Sequence, residues 1–137
     1  MTTDNHSKPT PNESAQLILK LFELRREDKM RQARDWMWTW KPKTFEDVKT
    51  TLHGPDSAKM RMVLGYWDMA AALVNHGAID VTMFNDTNGE FLSAFCKVEP
   101  FLTEFRTIMS PTYLAQLEKL VRARPGSAEA MARYRAM

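Results

Sequence analysis

Three charged residues lie at the edges of predicted apolar helix faces, and they form the candidate functional site. Arg26 interrupts the apolar face of the first predicted helix, while Asp68 and Arg106 border the faces of two later helices. Because a buried charge requires a partner of opposite sign, we predict that Asp68 contacts Arg26 or Arg106. A pocket lined by this buried charge cluster would suit a small ligand or an enzyme. The alternative is that the stem of Arg26 covers apolar surface while its head reaches water.

Residues that bind metals or act as nucleophiles are few and scattered. The chain has three histidines and one cysteine, and they lack the spacing of metal-binding motifs. Cys96 has no sequence neighbour that would activate its thiol, so we interpret it as a buried apolar residue. The five glycines stand singly, so no phosphate-binding loop is present. We therefore predict no catalytic residue, no metal and no cofactor, and we favour a non-enzymatic protein.

The first predicted helix carries a second apolar line that a monomer of this size need not cover. Leu17, Leu21 and Leu24 follow the spacing i, i+4, i+7. Trp38 points away from the face that holds Trp36. An uncovered line of leucines would be an association surface, so we predict a homodimer with Leu21, Leu24 and Trp38 as contacts. The alternative is that another helix of the same chain covers this line.

The elements that position these residues are helices, and the central one has the clearest pattern. Between residues 60 and 74, seven apolar residues recur at the helical period, which predicts a core helix. They are Met60, Val63, Leu64, Trp67, Ala70, Ala71 and Val74.

The remaining pattern predicts an all-α, single-domain bundle of six or seven helices with no sheet. Residues 1–11 have no apolar periodicity and are predicted to be a disordered tail, and residues 12–137 form the helical domain. Asn12 is the predicted cap of the first helix, and Ser110-Pro111 the predicted start of a later one. The predicted helices cover residues 12–40, 44–53, 56–76, 81–87, 90–109, 110–124 and 127–134.

Pro100 lies within an apolar pattern that continues on both sides of it. The pattern keeps its phase across the proline, so we predict one long helix, bent at Pro100. The alternative is a break with Pro100 at the start of a new helix. The residues in phase are Phe91, Phe95, Val98, Leu102, Phe105 and Met109.

Charge and apolar content narrow the class of partner. No apolar run is long enough to span a membrane, and a single cysteine fits the cytoplasm. The net charge is +2, but residues 80–104 carry −4 and residues 105–137 carry +4. One interpretation is that these charges form solvated helix faces; the other is that the asymmetry orients self-association or meets a charged partner. The basic C-terminal helices make weak nucleic-acid binding a third alternative.

Three short motifs in the middle of the chain resemble those of a known family. They are the aromatic-acid pair Trp67-Asp68, the turn Gly77-Ala78-Ile79-Asp80, and Arg106 near the end of a later helix. The chain resembles an uncharacterised bacterial family of all-helical domains of unknown function. The resemblance implies an all-helical fold and implies no activity or catalytic residue.

The function that the sequence favours is a non-enzymatic helical interaction module that self-associates. Clusters of aromatic residues and methionine are typical of interfaces. The alternative from another class is a small-ligand binder or enzyme that uses a pocket between Arg26, Asp68 and Arg106.

Overall fold

The computed structural model describes residues 8–137, and residues 1–7 of the predicted tail lie outside that range. No strand occurs in residues 8–137, which confirms the all-α class. Counting the two helices that a 3-10 turn joins as one, the described residues form eight helices rather than six or seven. None of these helices is long and apolar enough to cross a membrane. In chain order they are α1 (Pro11–Leu24), α2 (Asp28–Thr39), α3 (Phe45–Leu52), α4 (Ser57–Asn75), α5 (Val81–Thr87), α6 (Glu90–Val98), the 3-10 turn Glu99–Phe101, α7 (Leu102–Ile108), α8 (Ala115–Ala123) and α9 (Ser127–Ala136).

Helix α4 lies at the centre of the core. All seven residues of its predicted apolar line are buried, six of them completely. Its most extensive contacts are with α8 and α2. The Trp67 ring lies 5.9 Å from that of Phe91 on α6, so a large aromatic surface is removed from water there. The helical period in the sequence therefore identified the core helix correctly.

The long first helix predicted from residue 12 to residue 40 is wrong, because two helices occupy this range. A turn separates α1 from α2, and Arg26 lies exposed in that turn. The carboxylate of Glu27 accepts the backbone N–H groups of Lys29 at 3.0 Å and Met30 at 3.2 Å. The first N–H groups of a helix lack partners within the helix, so this cap stabilises a new start that apolar spacing does not reveal.

Helix α1 also begins earlier than predicted. The cap is Thr10 rather than Asn12, and Pro11 is the first helical residue. The Thr10 hydroxyl accepts the Glu13 backbone N–H at 3.1 Å, and the Glu13 carboxylate accepts that of Thr10 at 2.8 Å. This reciprocal capping box satisfies two N–H groups that would otherwise lack partners.

The prediction of one continuous α-helix through Pro100 is wrong. Helix α6 ends at Val98, a 3-10 turn contains the proline, and α7 begins at Leu102. Proline has no N–H and its ring crowds the preceding turn, so the α-helical hydrogen bonds are interrupted there. The apolar phase nevertheless persists across the interruption, and the buried positions are Phe91, Phe95, Val98, Leu102 and Phe105.

Helix α8 begins four residues later than the predicted start at Pro111. Leu114 precedes it in a left-handed conformation, with φ 59°, and is 1% exposed. Helix α8 has no side-chain cap of its own. Instead, the Asp68 carboxylate on α4 accepts the Leu117 backbone N–H at 2.9 Å. A carboxylate near a helix N-terminus is favourable, so α4 supplies the cap that α8 lacks.

Candidate functional site: a cleft lined by tryptophan

A cleft of about 350 Å³ opens where three parts of the chain meet. One wall is the end of α2 with the loop that follows, the second is α6 with its 3-10 turn, and the third is α9 with the last residue. We call it the tryptophan cleft. It is lined by Trp38, Trp40, Lys41, Pro42, Ser93, Cys96, Lys97, Pro100, Tyr134, Arg135 and Met137.

The two tryptophans of the cleft have different roles. Trp40 is 9% exposed and stacks on Trp36 with ring centroids 5.2 Å apart. Its indole N–H donates to the Thr51 hydroxyl at 3.0 Å, so the ring is held from two sides. Trp38 points away from Trp36, as helical geometry predicts, and is 47% exposed. Trp40 is therefore a fixed wall, and Trp38 is a rim that a ligand can cover.

Lys97 provides the charge on the α6 side of the cleft. Its half-buried ammonium group donates to the backbone carbonyls of Met37 and Trp40, the latter at 2.6 Å. These carbonyls belong to the end of α2, where a cation is favourable. Burial lowers the pKa of Lys97, and repulsion by Lys41 lowers it further. Lys97 therefore both ends α2 and places a positive charge beside apolar walls.

The two small polar residues of the cleft are not activated for catalysis. The Cys96 thiol donates to the Met131 carbonyl at 3.5 Å, and burial raises its pKa. The Ser93 hydroxyl donates to the Glu90 carbonyl at 3.0 Å. A nucleophile needs a lowered pKa or an adjacent base, and neither residue has one. Residues 8–137 also contain no group of three or more side chains placed to hold a metal ion.

The acidic and basic parts of the chain meet in ion pairs beside the cleft. Glu99 pairs with Arg122 at 2.8 Å and with Arg135 of the cleft wall. Within the basic part itself, Glu118 pairs with Arg106 and Arg122, at 2.8 and 2.9 Å. Hydrogen bonding to Arg106 lowers the pKa of Glu118. Part of the charge asymmetry seen in the sequence is therefore neutralised within the molecule.

Among the described residues, no ion pair joins Asp68 to Arg26 or Arg106, and Arg26 is exposed in the turn between α1 and α2. Arg106 donates to Glu118 and to the Tyr113 carbonyl, each at 2.8 Å. The sequence predicted that these charges border apolar faces, but a helix face does not specify which residue lies opposite it.

The predicted interface residues separate into a core residue and surface residues. Leu21 is 4% exposed and belongs to the core, so it is not a candidate contact. Leu17 and Leu24 on α1 are 37% and 44% exposed. Leu17 lines a shallow groove with Gly77 and Ala78, whereas Trp38 lines the tryptophan cleft.

Sequence reasoning missed the strongest half-buried charge pair. Arg34 on α2 makes two hydrogen bonds of 2.8 Å to the two oxygens of Glu90 on α6. Arg25 lies beside this pair, with its guanidinium 3.8 Å from the centre of the Phe22 ring. The two residues are 56 positions apart in sequence, so no local spacing indicated the pair.

Sequence reasoning also missed Lys97 and Tyr134 as cleft residues, although the outward direction of Trp38 was a usable signal.

A comparison with family profiles gives one match. The family described as "Domain of unknown function (DUF4760)" matches residues 11–124. The chain belongs to this family. No curated protein and no solved structure gives a significant match. The α9 wall of the tryptophan cleft lies after the part that matches DUF4760.

The sequence motifs that resemble those of an all-helical family have structural roles in this DUF4760 chain. Trp67 is completely buried, and Asp68 caps α8. The Asp80 carboxylate caps α5 through the Met83 backbone N–H at 2.8 Å, and the Asp80 backbone N–H donates to the Ser14 hydroxyl at 2.9 Å. These residues position helices and do not line the cleft.

Proposed function

We propose that the protein is a non-enzymatic binding module whose tryptophan cleft receives an apolar group of its ligand or partner. The observation that carries the proposal is the cleft itself, about 350 Å³ in volume, with aromatic rings, prolines and a methionine around a few cations. Ligand pockets have volumes of roughly 300–1,000 Å³ and this mixture of apolar walls and few polar groups. Aromatic residues and methionine are also enriched at interfaces. The ligand site is thus placed away from the predicted cluster of Arg26, Asp68 and Arg106.

The polar groups of the cleft support binding rather than catalysis. Ser93 and Cys96 donate to backbone carbonyls, and Arg135 pairs with Glu99. Lys97 donates to two backbone carbonyls. General acid-base or nucleophilic catalysis requires a group that is free to exchange a proton or attack. In the cleft these groups serve the fold, which fits a module that binds without reacting.

Binding in the cleft is testable by NMR, because the chain has only four tryptophans. We expect 4-phenylbutanol, a neutral molecule with an aromatic ring, to shift the indole N–H signals of Trp38 and Trp40 to saturation. The signal of Trp67, which is completely buried in the core, should not move. Trp38→Ala should weaken binding about tenfold, since that corresponds to roughly 1.4 kcal/mol and an aromatic contact contributes about 0.5–1.5 kcal/mol.

The control for this experiment is Met69→Ala. Met69 is 41% exposed, similar to Trp38, but does not line the cleft. The Met69→Ala variant should bind 4-phenylbutanol as tightly as the wild type does. Shifts that do not saturate, or equal weakening by both substitutions, would contradict the proposed function.

Self-association is a second candidate function, favoured by the exposed leucines of α1. Leu17 and Leu24 lie seven residues apart on one helix face and are 37% and 44% exposed. Such a face is suited to a homodimer, with Trp38 as a further contact. Leu21 is no longer part of this proposal because the core covers it.

We expect sedimentation equilibrium at micromolar concentration to detect a dimer of the 15.9 kDa chain. Leu24→Glu should convert it to a monomer while the helical circular dichroism stays unchanged, because Leu24 is exposed. Met62→Glu, at a similarly exposed position on α4, is the control and should remain dimeric. A wild-type monomer, or a dimer that Leu24→Glu leaves intact, would refute this interface.

The buried cysteine and the ion pairs of the arginines bear on the location and the class of partner that we propose. We place the protein in the cytoplasm, since a buried, unpaired Cys96 fits a reducing compartment. Nucleic acid is a poor candidate partner, because Arg106, Arg122 and Arg135 are already engaged by Glu99 and Glu118. A ligand or a protein partner fits the apolar cleft better.

A further inference from the structure

We infer that the ligand of the tryptophan cleft is an organic carboxylate, with its apolar body between the aromatic walls and its carboxylate on the ammonium group of Lys97. This inference rests on the proposed function and specifies the chemical class of the ligand. It depends on the hydrogen bonds of Lys97, on the charges around the cleft and on the nature of its walls.

Lys97 has one N–H donor that the described residues leave unused. A lysine ammonium group has three N–H donors and no acceptor. Two of them donate to the carbonyls of Met37 and Trp40, and residues 8–137 offer no third acceptor. These two bonds anchor the ammonium group in one position. A ligand that reaches Lys97 therefore meets a fixed, charged donor rather than a mobile side chain.

The charges around the cleft are unbalanced. The side chains of the lining include the cations Lys41, Lys97 and Arg135 and no carboxylate; Met137 also lines the cleft, and no ion pair among the described residues joins its terminal carboxylate to these cations. Glu99 neutralises Arg135, but no ion pair among the described residues reaches Lys41 or Lys97. A half-buried charge without a counter-ion is unfavourable, and a bound anion would remove this cost. The lowered pKa of Lys97 has the same origin, burial together with repulsion by Lys41.

The surroundings of Lys97 favour a carboxylate over a phosphate. Phosphate recognition commonly uses an arginine fork or several convergent backbone N–H groups. Here the only arginine of the lining is held by Glu99, and the backbone groups that contact Lys97 are carbonyls rather than N–H groups. The unused N–H donor of Lys97, together with the charge of Lys41 in the exposed loop, matches a ligand that carries a single negative charge. Trp38, Trp40 and Tyr134 then cover the apolar body.

The test compares two ligands that differ only in their polar end, 4-phenylbutanoate and 4-phenylbutanol. We expect the 137-residue protein at low salt to bind the carboxylate at least tenfold more tightly than the alcohol, as followed by the indole signals of Trp38 and Trp40. In Lys97→Met this preference should fall to about twofold or less, and in Lys41→Met it should fall partly. Lys119→Met, an exposed lysine outside the cleft, should keep the full preference.

Lys97 also ends α2, so a measurement on the wild type is needed in case Lys97→Met does not fold. We expect nuclear Overhauser effects between the methylene group next to the ligand carboxylate and the ε protons of Lys97. Effects from the phenyl ring should reach Trp38 or Tyr134. Their absence at Lys97, with the ring still on Trp38, would place the carboxylate elsewhere and overturn the inference.

The outcomes separate this inference from the proposed function. If neither compound binds, both are wrong. If the two bind equally well, the cleft is an apolar site without a carboxylate receptor and only this inference fails. A preference for the carboxylate that persists in a folded Lys97→Met variant would also overturn the role of Lys97.

Discussion

Glu90→Ala should destabilise the protein by about 3 kcal/mol, because it leaves buried positive charge without a partner. Glu90 and Arg34 are only 17% and 24% exposed and share two hydrogen bonds of 2.8 Å. Arg34 also donates to the Arg25 carbonyl at 3.3 Å, in the turn between α1 and α2. Hydrogen bonding to Glu90 raises the pKa of Arg34. Urea denaturation monitored by circular dichroism measures the loss.

Two further variants show whether the loss comes from the pair. Glu46 is 80% exposed in a surface pair, so Glu46→Ala should change the free energy of unfolding by less than about 1 kcal/mol. The double variant Glu90→Met with Arg34→Met should be more stable than Glu90→Ala, because it leaves no unpaired charge at this site. If Glu90→Ala lowered the free energy of unfolding no more than Glu46→Ala does, water would be able to stabilise the Arg34 charge in place of Glu90.

Leu21→Ala should lower the free energy of unfolding by about 2–5 kcal/mol, the usual cost of a cavity in a packed core. Leu21 is 4% exposed, and the Tyr66 hydroxyl on α4 donates to its backbone carbonyl. Leu19→Ala is the matched control on the same helix. Leu19 is 66% exposed, so its loss should cost no more than about 0.5 kcal/mol.

This comparison distinguishes a core leucine from an interface leucine. Thermal unfolding at two protein concentrations should show a lower midpoint for Leu21→Ala at both. If the difference between Leu21→Ala and the wild type disappeared on dilution, Leu21 would act through association rather than through the core. Similar losses in both variants would also contradict the assignment of Leu21 to the core.

The local features of the fold followed from the sequence because neighbouring residues determine them. The apolar period of α4 predicted all seven of its buried positions. The capping box of α3 is equally local: the Thr44 hydroxyl accepts the Asp47 backbone N–H at 3.2 Å, and the Asp47 carboxylate accepts that of Thr44 at 3.1 Å. Both features depend on residues within one or a few turns, where helical geometry is known in advance.

Helix ends that depend on distant side chains were not predictable. The start of α8 uses Asp68, which is 49 residues before Leu117. Nothing near residue 114 indicates a left-handed leucine at that point. The Glu27 cap between α1 and α2 is a local feature, but the apolar spacing across it suggested one continuous helix. Where two local signals compete, packing against α4 decides between them.

The sequence by itself determined the helical class and the core helix, because these are properties of spacing along one helix. Only the tertiary structure decided which charged residues meet. It paired Arg34 with Glu90 and Arg106 with Glu118, and it directed Asp68 to the N-terminus of α8. It also assembled the tryptophan cleft from α2, α6 and α9, which lie far apart in the chain. The physical reason is that periodicity specifies the direction of a side chain from its own helix, whereas a contact also requires the position of the second helix, which packing of the whole core establishes.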